Sequence, residues 1–86
     1  MDLKSIKEDI VKKIYHLNAD KKVPLHKHAE QDEIFYCMQG SGFGVLEDRE
    51  VELKVGQAFI VRAGVMHSLR TDEELYVSSF LVPVLD

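Results

Sequence analysis

Three histidines and one glutamate in this sequence have the residue types and spacing of a metal site. His26 and His28 are two residues apart, Glu33 follows five residues later, and His67 lies far downstream. Residues two apart in a β-strand project from the same face, about 7 Å from each other. Glu33 can enter from the next strand and His67 from a remote one. This donor set suits a divalent transition metal, and Zn, Mn, Fe, Ni, Co and Cu all stay open.

Each of these residues also has a simpler interpretation. The histidines could be core or surface residues without a ligand role, and Glu33 could be a solvated acid in the run from Glu30 to Glu33. Three histidines at these spacings favour metal ligation by His26, His28 and His67, with Glu33 as the carboxylate. His16 lies outside this pattern, and we expect it at the surface.

The bulk properties limit the class of protein. A chain of 86 residues with net charge −4 predicts one domain, residues 1–86, with no basic patch for nucleic acid. The single cysteine, Cys37, excludes an intramolecular disulfide and is typical of a reducing compartment. Residues 1–10 lack the apolar stretch of a secretory signal, and no apolar run is long enough to span a bilayer. We therefore expect a cytoplasmic protein without a membrane partner.

Short alternating segments separated by turn residues predict an all-β sandwich or small barrel. The predicted strands are about 11–17, 23–28, 33–38, 43–46, 51–54, 58–61, 67–70 and 75–82, and a tight turn is expected at 39–42. A short helix or coil is predicted before the first strand. Phe35, Phe43, Phe59 and Met66 are expected to line the interior.

The strand 33–38 is apolar on both faces. Glu33, Phe35 and Cys37 share the face that we expect to point inward, which leaves Ile34, Tyr36 and Met38 outward. An outward apolar stripe on a small barrel needs cover. A second copy of the chain would supply it, so we predict a homodimer; the alternative is that residues 1–17 fold back over the stripe.

The two groups of residues together resemble the motifs of the cupins. His26-x-His28, Glu33 and Gly40 are similar to the first cupin motif, and Gly56, Gly64 and His67 are similar to the second. The resemblance implies a small cupin-type antiparallel β-barrel, jelly-roll-like, with a metal held by the three histidines and Glu33. The sequence departs from the motifs in having Asp20 for a glycine, Arg62 for a proline and Thr71 for an asparagine.

Two functions follow from this resemblance. Four protein ligands leave about two positions open on an octahedral metal, which favours a metal-dependent enzyme acting on a small oxygenated organic molecule by oxygenation, isomerisation or decarboxylation. The alternative is a non-enzymatic module that binds a metal and a small ligand, such as a sensor. A cavity that reaches the metal would favour the enzyme, and a filled barrel would favour the module.

Two further residues have open roles. Cys37 is expected to be a small buried hydrophobe, although a reactive thiol near the metal is the alternative. Arg62 is expected to be a solvated loop residue, with an anion clamp at the cavity mouth as the alternative.

Overall fold

The computed structural model describes residues 10–84, and within them the chain is built of β-strands without a helix. The strands are β1 (Val11–Asn18), β2 (Gln31–Leu46), β3 (Glu50–Lys54), β4 (Ala58–Val61), β5 (His67–Arg70) and β6 (Glu74–Pro83). The predicted all-β fold is confirmed. The short helix or coil predicted before β1 falls mainly on residues 1–9, which lie outside the described residues.

Two antiparallel sheets share one long strand. In the first sheet β1 pairs with β6, β6 with the first half of β2, and β2 with β4. In the second sheet the last part of β2 lies between β3 and β5. Buried side chains from both sheets form one core, made of Leu17, Phe35, Cys37, Leu53, Phe59, Val61, Leu69, Leu75 and Val77. The strands do not close into one continuous hydrogen-bonded barrel, but the arrangement has the jelly-roll form that the sequence predicts.

The tight turn predicted at residues 39–42 is wrong, because the chain runs through this stretch as part of β2. A register shift between Cys37 and Gln39 bends the strand, and Gly40 has a positive φ of 81°. A Cβ atom at Gly40 would overlap the backbone of Glu74. Glycine is therefore needed here for a bend with close backbone approach, which a sequence pattern cannot distinguish from a chain reversal.

The strand predicted at residues 23–28 is also wrong in its extent. Only His26 makes a ladder contact, an isolated bridge to His67, and the rest of the segment is irregular. Pro24 has no N–H to give to a ladder, and the segment lies beside β5, which is a strand of only four residues. The histidines therefore project from an irregular segment.

The outward face of the first sheet carries a group of apolar side chains, which includes the predicted stripe of Ile34, Tyr36 and Met38. Paired positions across four strands place these side chains together, and we call them the outer apolar face: Ile14, Ile34, Tyr36, Met38, Ile60 and Phe80. Ile14 and Ile60 are 71% and 62% exposed, whereas Glu33, Phe35 and Cys37 on the opposite face are buried. Within residues 10–84 there is no helix with the length and hydropathy of a membrane span.

Candidate metal centre

Four side chains from three parts of the fold converge on one point. His26 and His28 come from the segment before β2, Glu33 from the start of β2, and His67 from the first position of β5. One nitrogen or oxygen atom of each lies within 4.8 Å of the corresponding atom of every other. The structure thus brings together all four residues that the sequence predicts as ligands.

Backbone hydrogen bonds fix the irregular segment that carries His26 and His28. The N–H groups of His26 and His67 each donate to the other residue's carbonyl, at 3.0 and 2.8 Å. The Gly64 N–H donates to the carbonyl of His28 at 2.8 Å, and Gly64 has a positive φ of 84° that favours glycine. Because these bonds join the irregular segment to the start of β5 and to the loop before it, His26 and His28 stay in place without a regular strand.

Two imidazoles are oriented by backbone carbonyls. His26 donates from Nδ1 to the carbonyl of Pro24 at 3.0 Å, and His67 donates from Nδ1 to the carbonyl of Val65 at 2.9 Å. A proton held on Nδ1 leaves Nε2 as the atom that faces the cluster. This is the second layer of contacts by which proteins set the tautomer and direction of a ligating histidine.

Glu33 is a buried carboxylate surrounded by donors. Its Oε1 lies 2.8 Å from Nε2 of His67 and 3.2 Å from Nε2 of His28, and its Oε2 accepts a hydrogen bond from the Ser79 hydroxyl. Burial raises the pKa of Glu33, but the hydrogen bonds from His67 and Ser79 and the charge of His28 outweigh it and leave the pKa below its usual value. Glu33 is therefore ionised at neutral pH.

The pKa of His67 is shifted upward, opposite to that of Glu33. Burial lowers the pKa of His67, whereas its hydrogen bonds to Glu33 and to the Val65 carbonyl raise it, and the net result is a raised pKa. A positive charge at this point is stabilised by the buried carboxylate. The same electrostatic environment favours a cation placed among the four side chains.

A cavity of about 230 Å³ reaches this cluster. His26, His28 and Glu33 form part of its wall. Most of the remaining wall is apolar and comes from both sheets and the segment before β2, with Tyr15, Leu17, Val23, Phe35, Leu69 and Leu81. Lys13, Lys21 and Ser68 complete the lining. The interior is therefore not filled beside the cluster, and a small molecule has access to it.

Ser79 is a contributor to the site that the sequence analysis missed. It lies in β6, where the residues at alternate positions, Leu75 and Val77, are fully buried. A serine in the inward series of an otherwise apolar strand is the signal that could have indicated it, because a buried hydroxyl needs a hydrogen-bond partner. Here that partner is Glu33.

Cys37 and Arg62 lie away from the cavity wall. Cys37 is fully buried, its Sγ lies 3.7–3.8 Å from the carbonyls of Gln39 and Gly40, and burial raises the pKa of the thiol. These contacts favour a buried structural thiol. The Arg62 side chain is 77% exposed and pairs with Asp32 at 3.4 Å, which favours the solvated loop role.

A comparison with protein families places this geometry in a known group. The cupin domain profile matches residues 13–82, which include all four clustered residues and all but the first two residues of β1. The chain belongs to the cupin family. No curated protein matches the chain.

Solved cupin structures share the fold. A cupin-2 domain protein from Shewanella frigidimarina is 25% identical, with 84% of this chain and 69% of that one covered and a TM-score of 0.74. A predicted oxalate decarboxylase from Thermotoga maritima is 21% identical, covering 98% and 76%, with a TM-score of 0.81. A polyketide cyclase from Streptomyces resistomycificus is 23% identical, covering 85% and 54%, with a TM-score of 0.76.

Proposed function

We propose that His26, His28, Glu33 and His67 bind one divalent transition metal ion. The support is the donor set itself, three imidazoles and a carboxylate whose candidate ligand atoms lie within 4.8 Å of one another. Cupins commonly bind such metals. The orientation of two Nε2 atoms toward the cluster gives further support, because these atoms are then ready to bind without rotation of the rings. Zn, Mn, Fe, Ni, Co and Cu all accept this donor set.

We propose further that this cupin is a metal-dependent enzyme that acts on a small oxygenated organic molecule. The observation that carries this proposal is the cavity of about 230 Å³ whose wall includes three of the four clustered residues. A protein that only stored a metal would not need such a space beside it. A divalent metal at this point supplies Lewis-acid polarisation of an oxygen atom of the substrate.

The residues of the chain have separate tasks in such a reaction. Glu33 keeps a negative charge in the cluster, and Ser79 holds its second oxygen in place. The apolar wall, which includes Phe35 and Leu81, excludes water and lowers the local dielectric constant, so charges in the cavity interact more strongly than in solvent. Oxygenation, isomerisation and decarboxylation are the reaction types that we propose.

Elemental analysis of protein purified without an affinity tag tests the metal site. We expect about one transition metal ion per chain. His28→Ala should lose most of the bound metal. Loss of a residue that only supports a ligand reduces metal affinity by about 10–100-fold, and loss of a ligand itself should reduce it at least as much. His16→Ala is the matched control, since His16 stacks on Tyr76 and has no place in the cluster. Equal metal content in the two variants would contradict the proposal.

Substrate screening with the identified metal then tests the enzyme. We expect turnover of a small oxygenated compound that depends on the metal and is lost in His28→Ala. Tight binding of such compounds without any turnover would instead indicate the non-enzymatic module.

We also propose a homodimer through the outer apolar face. Small molecules, rather than nucleic acid or membrane, are the further partners that we propose, and the cytoplasmic location stays a prediction.

A further inference from the structure

Two lysines line the cavity in addition to the clustered residues. Lys13 comes from β1, and Lys21 comes from the irregular segment that follows it. Glu33 is the one acid among the residues lining this cavity, and it is already engaged by His67, His28 and Ser79. The charge that this cavity offers to a ligand is therefore positive.

The alternation of β1 explains why Lys13 faces the cavity. Lys13, Tyr15 and Leu17 are two residues apart and all line the cavity, whereas Lys12 and Ile14 do not. Lys13 pairs across the sheet with Ser79, the residue that hydrogen-bonds to Glu33. Side chains of directly paired residues project from the same face, roughly 5 Å apart at Cβ. Lys13 thus lies on the wall next to the clustered residues, in contrast to its neighbour Lys12.

The two lysines are not used in ion pairs within residues 10–84. The lysine ion pair found there joins Lys54 to Glu52 at 3.0 Å, and no described carboxylate lies within 4 Å of the Lys13 or Lys21 ammonium group. Tyr15 also lines the cavity. Among residues 10–84, the two ammonium groups are thus available to contact a ligand.

We infer that this cavity selects small organic carboxylates with an apolar body, and that Lys13 and Lys21 contact the carboxylate. This inference rests on the proposed function, because the same cavity would hold the substrate beside the metal. Six apolar or aromatic side chains in the wall match an apolar body. A volume of about 230 Å³ restricts the ligand to a small molecule. Inorganic phosphate, which has no apolar part, would leave those side chains against a charged group.

Calorimetric titration with hexanoate and hexanamide tests the inference. The two probes have nearly the same shape and differ in charge, so the ratio of their dissociation constants reports the anion contact. We expect hexanoate to bind about fivefold more tightly at low salt, which is the upper range for one partly screened ion pair. Lys13→Gln should reduce this ratio, and Lys13→Gln combined with Lys21→Gln should bring it to near one. Lys12→Gln, on the other face of the same strand, should leave the ratio unchanged.

The titrations use both metal-loaded protein and protein freed of metal by a chelator, because a carboxylate can also coordinate a metal directly. A preference for hexanoate that is equal in wild type and Lys13→Gln would overturn the inference, and so would equal affinity for the two probes. Inorganic phosphate is the third probe, and binding as tight as that of hexanoate would overturn the requirement for an apolar body.

The same data separate this inference from the proposed metal centre. A Lys13-dependent preference in a protein that binds no metal would overturn the metal centre and support the carboxylate site. Metal binding without a preference for hexanoate would support the metal centre and overturn the carboxylate site. Amide chemical shifts of Lys13, Tyr15 and Leu81 give an independent readout, since hexanoate in this cavity should perturb residues that line it.

Discussion

Glu33 carries a negative charge in a place that largely excludes water, and its neighbours make this possible. The carboxylate is 3% exposed and has His67, His28 and Ser79 around its two oxygens. An ionised carboxylate without such partners would neutralise itself by a raised pKa. Positive charge near Glu33 is therefore part of what makes the buried site stable, whether it comes from a protonated His67 or from a metal ion.

A bound metal should accordingly stabilise the fold. A ligand that binds only the folded state adds about 2.7 kcal/mol when its concentration is 100 times the dissociation constant. For a domain of this size that corresponds to a rise in melting temperature on the order of 10–20 °C. We expect chelator treatment of the metal-loaded protein to lower the melting temperature by this amount, measured by circular dichroism.

Variants separate this effect from a general loss of stability. In His28→Ala the melting temperature should no longer respond to added metal, because a ligand is missing. In His16→Ala the response should be retained. An unchanged melting curve of wild type after verified removal of the metal would show that the site does not couple to folding.

The four clustered residues could be predicted from the sequence, whereas their immediate surroundings could not. Residue type and spacing favour one common site for His26, His28, Glu33 and His67, and the fold brings these four side chains together. Ser79 has no such signature, because a single serine in a strand indicates a partner only when the strand's inward face is known. The role of Lys13 could not be predicted either. Which residues of β1 point inward decides that Lys13, and not Lys12, lines the cavity.

At the scale of the strands, Arg70 connects three elements of the second sheet. Its guanidinium on β5 donates to both carboxylate oxygens of Glu50 on β3, at 2.6 and 2.7 Å, and also to Asp72. It lies 4.1 Å above the ring of Phe43 on β2, which runs between those strands. A bidentate pair stacked on an aromatic ring has a defined geometry that most surface ion pairs lack.

This contact predicts a pH dependence of stability. The hydrogen bonds from Arg70 are the largest influence on Glu50 and lower its pKa below the model-compound value of 4.5. A carboxyl whose pKa is lowered in the folded state stabilises the protein above its unfolded pKa, and this stabilisation is lost as the pH falls through the folded pKa. We expect Glu50→Gln to lower the melting temperature at pH 7, and this effect should disappear as the pH falls through the lowered pKa of Glu50 in the folded protein.

Glu52→Gln is the matched control for this measurement. Glu52 lies on the same strand but pairs with Lys54 two residues along, so its ion pair does not join different strands. The variant should change the melting temperature less than Glu50→Gln at pH 7. If Glu50→Gln had the same small effect at every pH, the contact would contribute nothing to the packing of β3 against β5.

Most strands could be predicted because their inward and outward residues alternate, as in β4 and β6. The exceptions have physical causes. The glycines around position 40 indicate a turn, but the long strand bends there instead and passes into the second sheet. Phe43 was expected to line the interior, yet Gly42 and Gly44 take the buried positions on either side of it. A Cβ atom at Gly44 would be 2.5 Å from the Phe59 ring, so that ring occupies the space and Phe43 lies outward under Arg70.

At the scale of the whole molecule, the outer apolar face is the main surface without a partner among the described residues. Its members come from β1, β2, β4 and β6, and Ile14, Ile60 and Tyr36 are 71%, 62% and 43% exposed. Isolated apolar residues at a surface are ordinary, but a contiguous group across four strands is typical of an interface. The sequence indicated only its β2 part, because pairing between distant strands assembles the rest.

We expect two copies of the chain to associate through this face about a two-fold axis, since a self-complementary patch then covers itself once on each copy. The buried area should be largely apolar and exceed roughly 1,000 Å² in total. Light scattering during size-exclusion chromatography at micromolar concentration should give the mass of a dimer. Ile60→Lys should produce a monomer, because it places a charge on the apolar face, next to Ile34 on the paired strand. Val55→Lys is the control: Val55 is 61% exposed but lies in the turn between β3 and β4, so this variant should remain dimeric. A wild-type monomer at this concentration would contradict the predicted dimer.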